Sequence, residues 1–265
     1  MPEAGVAREG VAREGGALRF ARFAYPPNAL GYCGPDASWQ LLEQVAAGAD
    51  DGDLRRLARG FEGAWPYLQL IAAANGIADP LDDRVVEAYW IGNELLTAVT
   101  PRLMGDSLDA RFRGRAGRSW SRLSAPVARG ALPHHSFHVF GVYPWVGLLR
   151  EGQVDAPLRV LDRCRVRWGE VLSTSGALAE VRRRPLTWDG HRLELGPPAV
   201  EVAVLSTDDH ALAGPIGAGD WVALHWDWVC ERLDRRTLTA LRGHTLCQLG
   251  VVNDAAVPAP AAVLA

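Results

Sequence analysis

The segment GDWVALHWDWVC, residues 219–230, decides the fold class of this 265-residue chain. Its residues alternate between two faces of an extended strand, so Trp221, Ala223 and His225 share one face while Val222 and Leu224 share the other. The same period of two governs the chain from Leu158 onward. The segment therefore predicts that the C-terminal part of the chain is built from β-strands.

The β-rich part contains five predicted strands. They cover residues 159–171, 179–186, 191–195, 200–205 and 220–230, with turn residues between them at Gly169, Asp189-Gly190, Pro197-Pro198 and Gly217/Gly219. Five short strands in about 75 residues predict a small OB-like β-barrel. Asp234 then caps a terminal helix, on which Leu238, Leu241, Thr245 and Leu249 share one face.

The part of the chain before the strands has the periodicity of helices. Residues 35–123 place apolar side chains at helical spacing, so the fold class is α+β. We expect a disordered tail at 1–17, where GVARE occurs twice, a mainly helical domain at 18–153, the barrel with its terminal helix at 154–253, and a second disordered tail at 254–265. The apolar segment 137–149 is predicted to be buried where the two domains meet.

Composition excludes several functional classes. The net charge is −3, which excludes a generally basic nucleic-acid binder, and all 28 basic residues are arginine, which excludes lysine-based catalysis and a P-loop. The four cysteines form no CxxC pair, which excludes a zinc ribbon. Neither a run of 18 apolar residues nor a signal peptide is present, so the prediction is a cytoplasmic protein without a membrane partner. The arginine-rich, loop-like segment 101–130 is either a solvated face or a docking patch for an acidic partner.

Cys33 and a histidine cluster are the first group of candidate functional residues. Cys33 lies in GYCGPD directly before a predicted helix, where the helix N-terminus favours the thiolate, and the segment resembles the nucleophile region of papain-like peptidases of the bacteriocin-processing type. Residues 133–138, PHHSFH, bring His134, His135 and His138 close together as metal ligands or as a base for Cys33. A buried cysteine and hydrogen-bonded loop histidines are the alternative interpretation.

Cys164 and His225 are the second group. Cys164 is predicted at the start of the first strand, in DRCRVRWGEV, and His225 lies on a strand face beside Asp227, a candidate hydrogen-bond partner for its imidazole. Taken alone, each of these two residues is more often part of a protein core than a metal ligand.

The region from Cys164 to Leu249 resembles the HypC/HupF-type chaperones of nickel–iron hydrogenase assembly. The matching residues are Cys164 with Gly169-Glu170-Val171, then the strand GDWVALH at 219–225, then the terminal helix. The resemblance implies that Cys164 and His225 hold iron, and that the partner is a protein client such as a hydrogenase large subunit or a maturation factor. This chain departs from the family because Cys164 is internal rather than N-terminal, and because Trp168-Gly169 replaces a Pro-Gly pair.

The whole chain also resembles an uncharacterised actinobacterial family, through YPPNALGYCGP, GAWPYL, HHSFHVF and YPWVGLL. Three functional hypotheses follow. We favour a hydrogenase-maturation accessory protein rather than an enzyme. The alternatives are a tryptophan-rich binding module, with Trp221, Trp226 and Trp228 forming a contact surface, and a thiol hydrolase that uses Cys33 with His135 or His138. The separation of Cys164 sulfur from His225 nitrogen decides the metal hypothesis, because ligands of one ion lie within about 4 Å of one another.

Overall fold

Helices form the first half of the protein, as predicted. The structure, a computed structural model, describes residues 15–116, 126–208 and 210–254. The helices of this half are α1 Gly16–Ala29, α2 Ser38–Ala47, α3 Gly52–Arg59, α4 Trp65–Ala74, α5 Asp83–Trp90, a 3-10 helix Glu94–Ala98, α6 Pro101–Ala116, α7 His135–Phe137 with a π-helix His138–Val142, α8 Trp145–Arg150 and α9 Asp155–Cys164. The two predicted tails lie mostly outside the described residues, although Ala17 is buried in α1 and Asp254 ends the last helix.

The second half contains the strands and one long helix. They are β1 Arg167–Ser175, β2 Leu178–Arg183, β3 Leu186–Trp188, β4 Leu193–Leu195, β5 Ala199–Val204, β6 Ser206–Thr207, β7 His210–Ala211, β8 Trp221–His225, β9 Trp228–Leu233 and α10 Arg235–Asp254. Five of them form one sheet in the order β1-β2-β5-β9-β8, and β8 pairs again with β1. The α+β fold class is thus confirmed.

Two of the predicted strands are wrong in their extent. The segment 159–171 is a helix as far as Cys164, because Pro157, Val160, Leu161 and Cys164 follow one another at helical spacing and form the buried face of α9. Cys164 therefore ends a helix instead of starting a strand. The segment 220–230 is a hairpin of β8 and β9, with a turn at Trp226-Asp227.

The arginine-rich segment is also different from its prediction. Residues 101–116 form α6 instead of a loop, because Met104, Leu108 and Phe112 recur every four residues and are buried on one face. Residues 117–125 lie outside the described residues, so a docking patch there stays a prediction.

Helix α1 is the central element of the helical half. Most of its side chains are buried, and it packs against α2, α3 and α5 on one side and against β8 and β9 on the other. At its start, Gly16 has no space for a side chain, because an added Cβ would lie 2.1 Å from the Leu81 carbonyl oxygen. The helix thus joins the helical half to the sheet, and the largest apolar cluster includes Phe20 and Phe23 together with Trp168 and Ala223.

The segment 137–149 is buried, as predicted from its apolar sequence. Phe137 and Val142 belong to the largest apolar cluster, whereas Val139, Phe140 and Leu149 pack with residues of α9 and α10. The cap of α10 is the predicted one, because the Asp234 carboxylate accepts a hydrogen bond from the Thr237 amide at 2.7 Å.

Candidate metal centre

One cavity is lined by candidate residues of both groups, all of them except His134. Its volume is about 820 Å³, and its lining includes Cys33 from the loop before α2, His135 and His138 from α7 and the π-helix, Cys164 from the end of α9, and His225 from the end of β8. The sequence separated these residues into two sites, one in each domain. The fold brings them to one cavity because α1, α7 and α9 meet the sheet there.

Three of these residues form a compact group, here called the Cys–His cluster: His135, Cys164 and His225. One ligand atom from each residue lies within 4.8 Å of the other two. Their side chains are shielded from solvent, with 6% of His135, 6% of Cys164 and none of His225 exposed. Ligand atoms at 2.0–2.3 Å around one tetrahedral ion lie roughly 3.5 Å apart, so a contraction of about 1 Å would complete a three-ligand site. The cluster therefore fits a metal ion in donor type, and its 4.8 Å spacing is wider than the limit of about 4 Å for ligands of one ion by less than about 1 Å.

The imidazole of His225 is oriented by the backbone of α1. Its Nδ1 donates a hydrogen bond to the Phe23 carbonyl oxygen at 2.6 Å. This carbonyl is available because residue 27, whose amide would normally bond to it within the helix, is a proline and has no N–H group. The proton is thus on Nδ1, and Nε2 is a buried nitrogen without a hydrogen-bond partner.

A histidine held in this way is prepared to bind a metal. Metal-ligating histidines commonly donate their second ring N–H to a backbone carbonyl, which fixes both the tautomer and the ring orientation. The partner predicted from the sequence, Asp227, does not have this role, because its carboxylate pairs with Arg163. Asp227 lies in the turn between β8 and β9, beyond the end of the strand that carries His225.

His135 is held between α9 and α5. Its Nε2 donates to the Cys164 carbonyl oxygen at 2.8 Å, a group left without an amide partner because it ends helix α9. Its Nδ1 accepts a hydrogen bond from the Tyr89 hydroxyl at 3.2 Å. The lone pair on Nδ1 is therefore the one that His135 can offer to a metal, and it becomes free when the Tyr89 hydroxyl rotates.

Burial keeps the whole cluster neutral. The pKa of His225 is lowered to about 4, chiefly because burial disfavours the imidazolium, and the pKa of His135 is lowered for the same reason. Burial also raises the pKa of the Cys164 thiol well above its ordinary value. At neutral pH the cluster thus offers two neutral imidazoles and a protonated thiol, and only the thiol has a proton to lose when a cation binds.

Cys33 and His138 line the same cavity but do not belong to the cluster. Cys33 lies in the loop that precedes α2, which begins at Ser38, five residues after the cysteine. Burial raises its pKa to about 12, and among the described residues no histidine is hydrogen-bonded to its sulfur. His138 contacts the Tyr67 hydroxyl through Nδ1 at 3.4 Å.

His134, the remaining histidine of the motif, caps α7 by accepting a hydrogen bond from the Ser136 amide at 3.1 Å.

The three tryptophans of the binding-module hypothesis have different surroundings. Trp221 is 38% exposed, Trp228 is half-buried, and Trp226 is buried against Tyr32 at 4.3 Å between ring centres. They do not form one exposed surface.

Several residues of the cavity were not predicted from the sequence as functional residues. Tyr89 and Trp90 of α5 pack around the cluster, with the Trp90 ring 4.5 Å from that of His135 and 5.5 Å from that of His225. Arg111 of α6 lies on the cavity wall. One local feature of the sequence could have indicated the acceptor of the His225 hydrogen bond, namely the Pro26-Pro27 pair inside α1. Consecutive prolines in a helix leave backbone carbonyl groups without their usual amide partners.

The fold and the cluster define a class of protein: a helical unit joined to a five-stranded sheet, with a buried Cys/His₂ group in the cavity between them. A family model matches residues 12–259, so the chain belongs to DUF6390, a family of unknown function. Among curated proteins and among solved structures no match was found. Within the described residues no helix is both long and apolar enough to cross a membrane.

Proposed function

We propose that this protein binds a first-row transition metal through Cys164, His225 and His135. The observation that carries the proposal is the buried Nε2 of His225, which has no hydrogen-bond partner and lies in a cluster whose ligand atoms are all within 4.8 Å. An unpartnered polar nitrogen in an apolar interior is costly, and a metal bond would remove that cost.

The donor set favours a metal that accepts both sulfur and nitrogen. One thiolate and two imidazoles suit iron, zinc or nickel in preference to magnesium or calcium, which take oxygen ligands. Three protein ligands leave at least one position open toward the cavity, as in sites that exchange or activate a ligand and unlike closed four-ligand structural sites. Such an ion would supply a Lewis acid or a redox centre within an aromatic-lined cavity.

We further propose that the metal is iron and that the protein is an accessory factor in nickel–iron hydrogenase assembly, acting on a protein client. The support is the resemblance of residues 164–249 to the HypC/HupF-type chaperones, in which the equivalent cysteine and histidine hold the iron. In this proposal the closed five-stranded sheet is the OB-like barrel of that family. Because the ligands are buried here, transfer to a client would require the cavity to open.

Anaerobic purification, followed by metal titration and elemental analysis, tests the metal-binding proposal. We expect about one equivalent of metal in the wild type and its loss in Cys164→Ala and in His225→Ala. Cys247→Ala and His191→Ala are matched controls, because both residues are exposed and far from the cluster in sequence, and they should bind as the wild type does. Wild-type protein that takes up no metal, or a Cys164→Ala variant that retains it, refutes the proposal.

Infrared spectroscopy of iron-loaded protein from cells that make the hydrogenase-assembly proteins tests the hydrogenase proposal separately. Cyanide and carbonyl bands that disappear in Cys164→Ala support it. Metal binding without these bands, and without capture of a hydrogenase large subunit or a maturation factor, supports the metal site and refutes the hydrogenase role.

A further inference from the structure

We infer that the same cavity binds a small organic anion, an aromatic or apolar carboxylate, through Arg111. This inference does not depend on the metal, because it concerns a side chain on another wall of the cavity. It rests on three observations: a guanidinium nitrogen without a hydrogen bond of regular geometry, the absence of a compensating carboxylate, and the aromatic character of the walls.

Arg111 has a fixed position but an unused donor group. Its guanidinium lies over the rings of Tyr67 and Phe112, 4.4 and 4.7 Å from their centres, and its Nη2 donates to the Gly63 carbonyl oxygen at 3.3 Å. Its Nη1 is buried and makes no hydrogen bond of regular geometry, although the guanidinium also interacts with the Tyr67 hydroxyl. A positively charged donor that is held rigidly and left unsatisfied points to an acceptor that is supplied by a ligand.

The charges around the cavity leave Arg111 uncompensated. None of the ion pairs formed among the described residues includes Arg111. Glu62 has the one carboxylate among the described lining residues, and this residue is exposed. It contacts Arg111 through its backbone carbonyl instead of its carboxylate. The Cys–His cluster on the other wall is neutral without metal and gains positive charge with it. The cavity is therefore electropositive in both states, and its low polarity strengthens the attraction for an anion.

The size and the lining of the cavity indicate what the uncharged part of the ligand is. A volume of about 820 Å³ is within the usual range of sites for one small molecule. The lining includes seven aromatic side chains that offer flat apolar surface: Tyr32, Phe61, Tyr89, Trp90, Phe112, Tyr143 and Trp145. A single cation among aromatic walls matches a molecule with one negative group and a planar or apolar body, and does not match a polyanion such as a nucleotide.

Calorimetric titration with benzoate and with benzamide tests this inference. The two probes have nearly the same shape, but benzamide is neutral, so their difference reports the charge. We expect wild-type protein to bind benzoate at least about tenfold more tightly than benzamide, since a hydrogen bond to a charged group has a net strength of this order. In Arg111→Gln the preference should disappear while benzamide binding is retained, and Arg111→Lys should keep part of it.

The outcomes separate this inference from the proposed metal site. Titrations before and after treatment with a chelator should both show the preference for benzoate, and Arg111→Gln should take up metal as the wild type does. Wild-type protein that binds neither probe, or that does not prefer benzoate, overturns the inference. Unchanged benzoate affinity in Arg111→Gln overturns it as well, and none of these results depends on metal uptake.

Discussion

Replacing Pro27 with alanine should weaken metal binding without weakening the fold. Alanine restores an amide at position 27, which would bond within α1 to the Phe23 carbonyl oxygen. That oxygen now accepts the His225 Nδ1–H at 2.6 Å. The new amide competes for the carbonyl and draws it toward the helix axis, so the imidazole of His225 loses the contact that selects its tautomer and orientation.

The expected effect is about a tenfold loss of metal affinity. A hydrogen bond of this kind stabilises by about 0.5–1.5 kcal/mol, and replacing the partner of a metal-ligating histidine commonly costs about 10- to 100-fold in affinity. The melting temperature of the metal-free protein should stay the same or rise, because proline inside a helix is less favourable than alanine. Competition with a chromophoric chelator measures the affinity, and thermal unfolding followed by circular dichroism measures the stability.

Pro26→Ala is the matched control for this experiment. It makes the same chemical change one residue earlier, where the restored amide would face the Arg22 carbonyl instead of the Phe23 carbonyl. We expect its metal affinity to equal that of the wild type. Equal affinities for Pro27→Ala and the wild type, or an equal loss in both variants, would refute the reasoning that the proline frees the acceptor for His225.

Three other measurements test the electrostatics. Metal affinity should rise about tenfold per pH unit between pH 5 and 8, because binding displaces one thiol proton from Cys164. His225, with a pKa of about 4, is already neutral in this range and contributes no proton. A pH-independent affinity would exclude thiolate ligation. In the metal-free protein, protonation of His225 alone should reduce the free energy of unfolding by about 3 kcal/mol as pH falls from 6.5 to 4, because the imidazole is protonated at a higher pH in the unfolded chain than in the folded one. Denaturant titrations at both pH values measure this change, and constant stability would contradict it. Arg19→Met should lower the free energy of unfolding by about 3–5 kcal/mol, because Arg19 donates to the largely buried Glu231 carboxylate at 2.8 Å and its loss leaves that carboxylate without this ion-pair partner, whereas Glu87 keeps Arg236. Urea titration against the exposed control Arg56→Met measures the effect, and an equal loss in both variants would contradict it.

The sequence predicted those parts of the fold that depend on local periodicity. Alternation in 221–225 assigned Val222 and Leu224 to one face and Ala223 and His225 to the other, and the structure buries the first pair inside the sheet and the second pair against the helices. The cap at Asp234 was equally local. In contrast, the apolar residues of 157–164 also have helical spacing, and the prediction of a strand there gave too little weight to that pattern.

The site could be predicted only in part, because its geometry comes from tertiary packing. Cys164 and His225 were chosen through a resemblance, and the structure places their ligand atoms within 4.8 Å of each other. His135 was proposed either as a base for Cys33 or as one of the metal ligands of the PHHSFH motif, and not as a partner of Cys164. No spacing rule connects a histidine to the end of a helix that follows it 29 residues later.

The central position of α1 has a consequence for how the chain folds. The helix is synthesised early, but its partners in the sheet come late: the bond from His225 to Phe23 spans 202 residues and that from Arg19 to Glu231 spans 212. Contacts of such sequence separation slow folding, since a long loop must close before they form. Until β9 has left the ribosome, the nascent chain therefore exposes the surface of α1 that packs against β8 and β9, and in this interval it is most prone to aggregate and most in need of a chaperone.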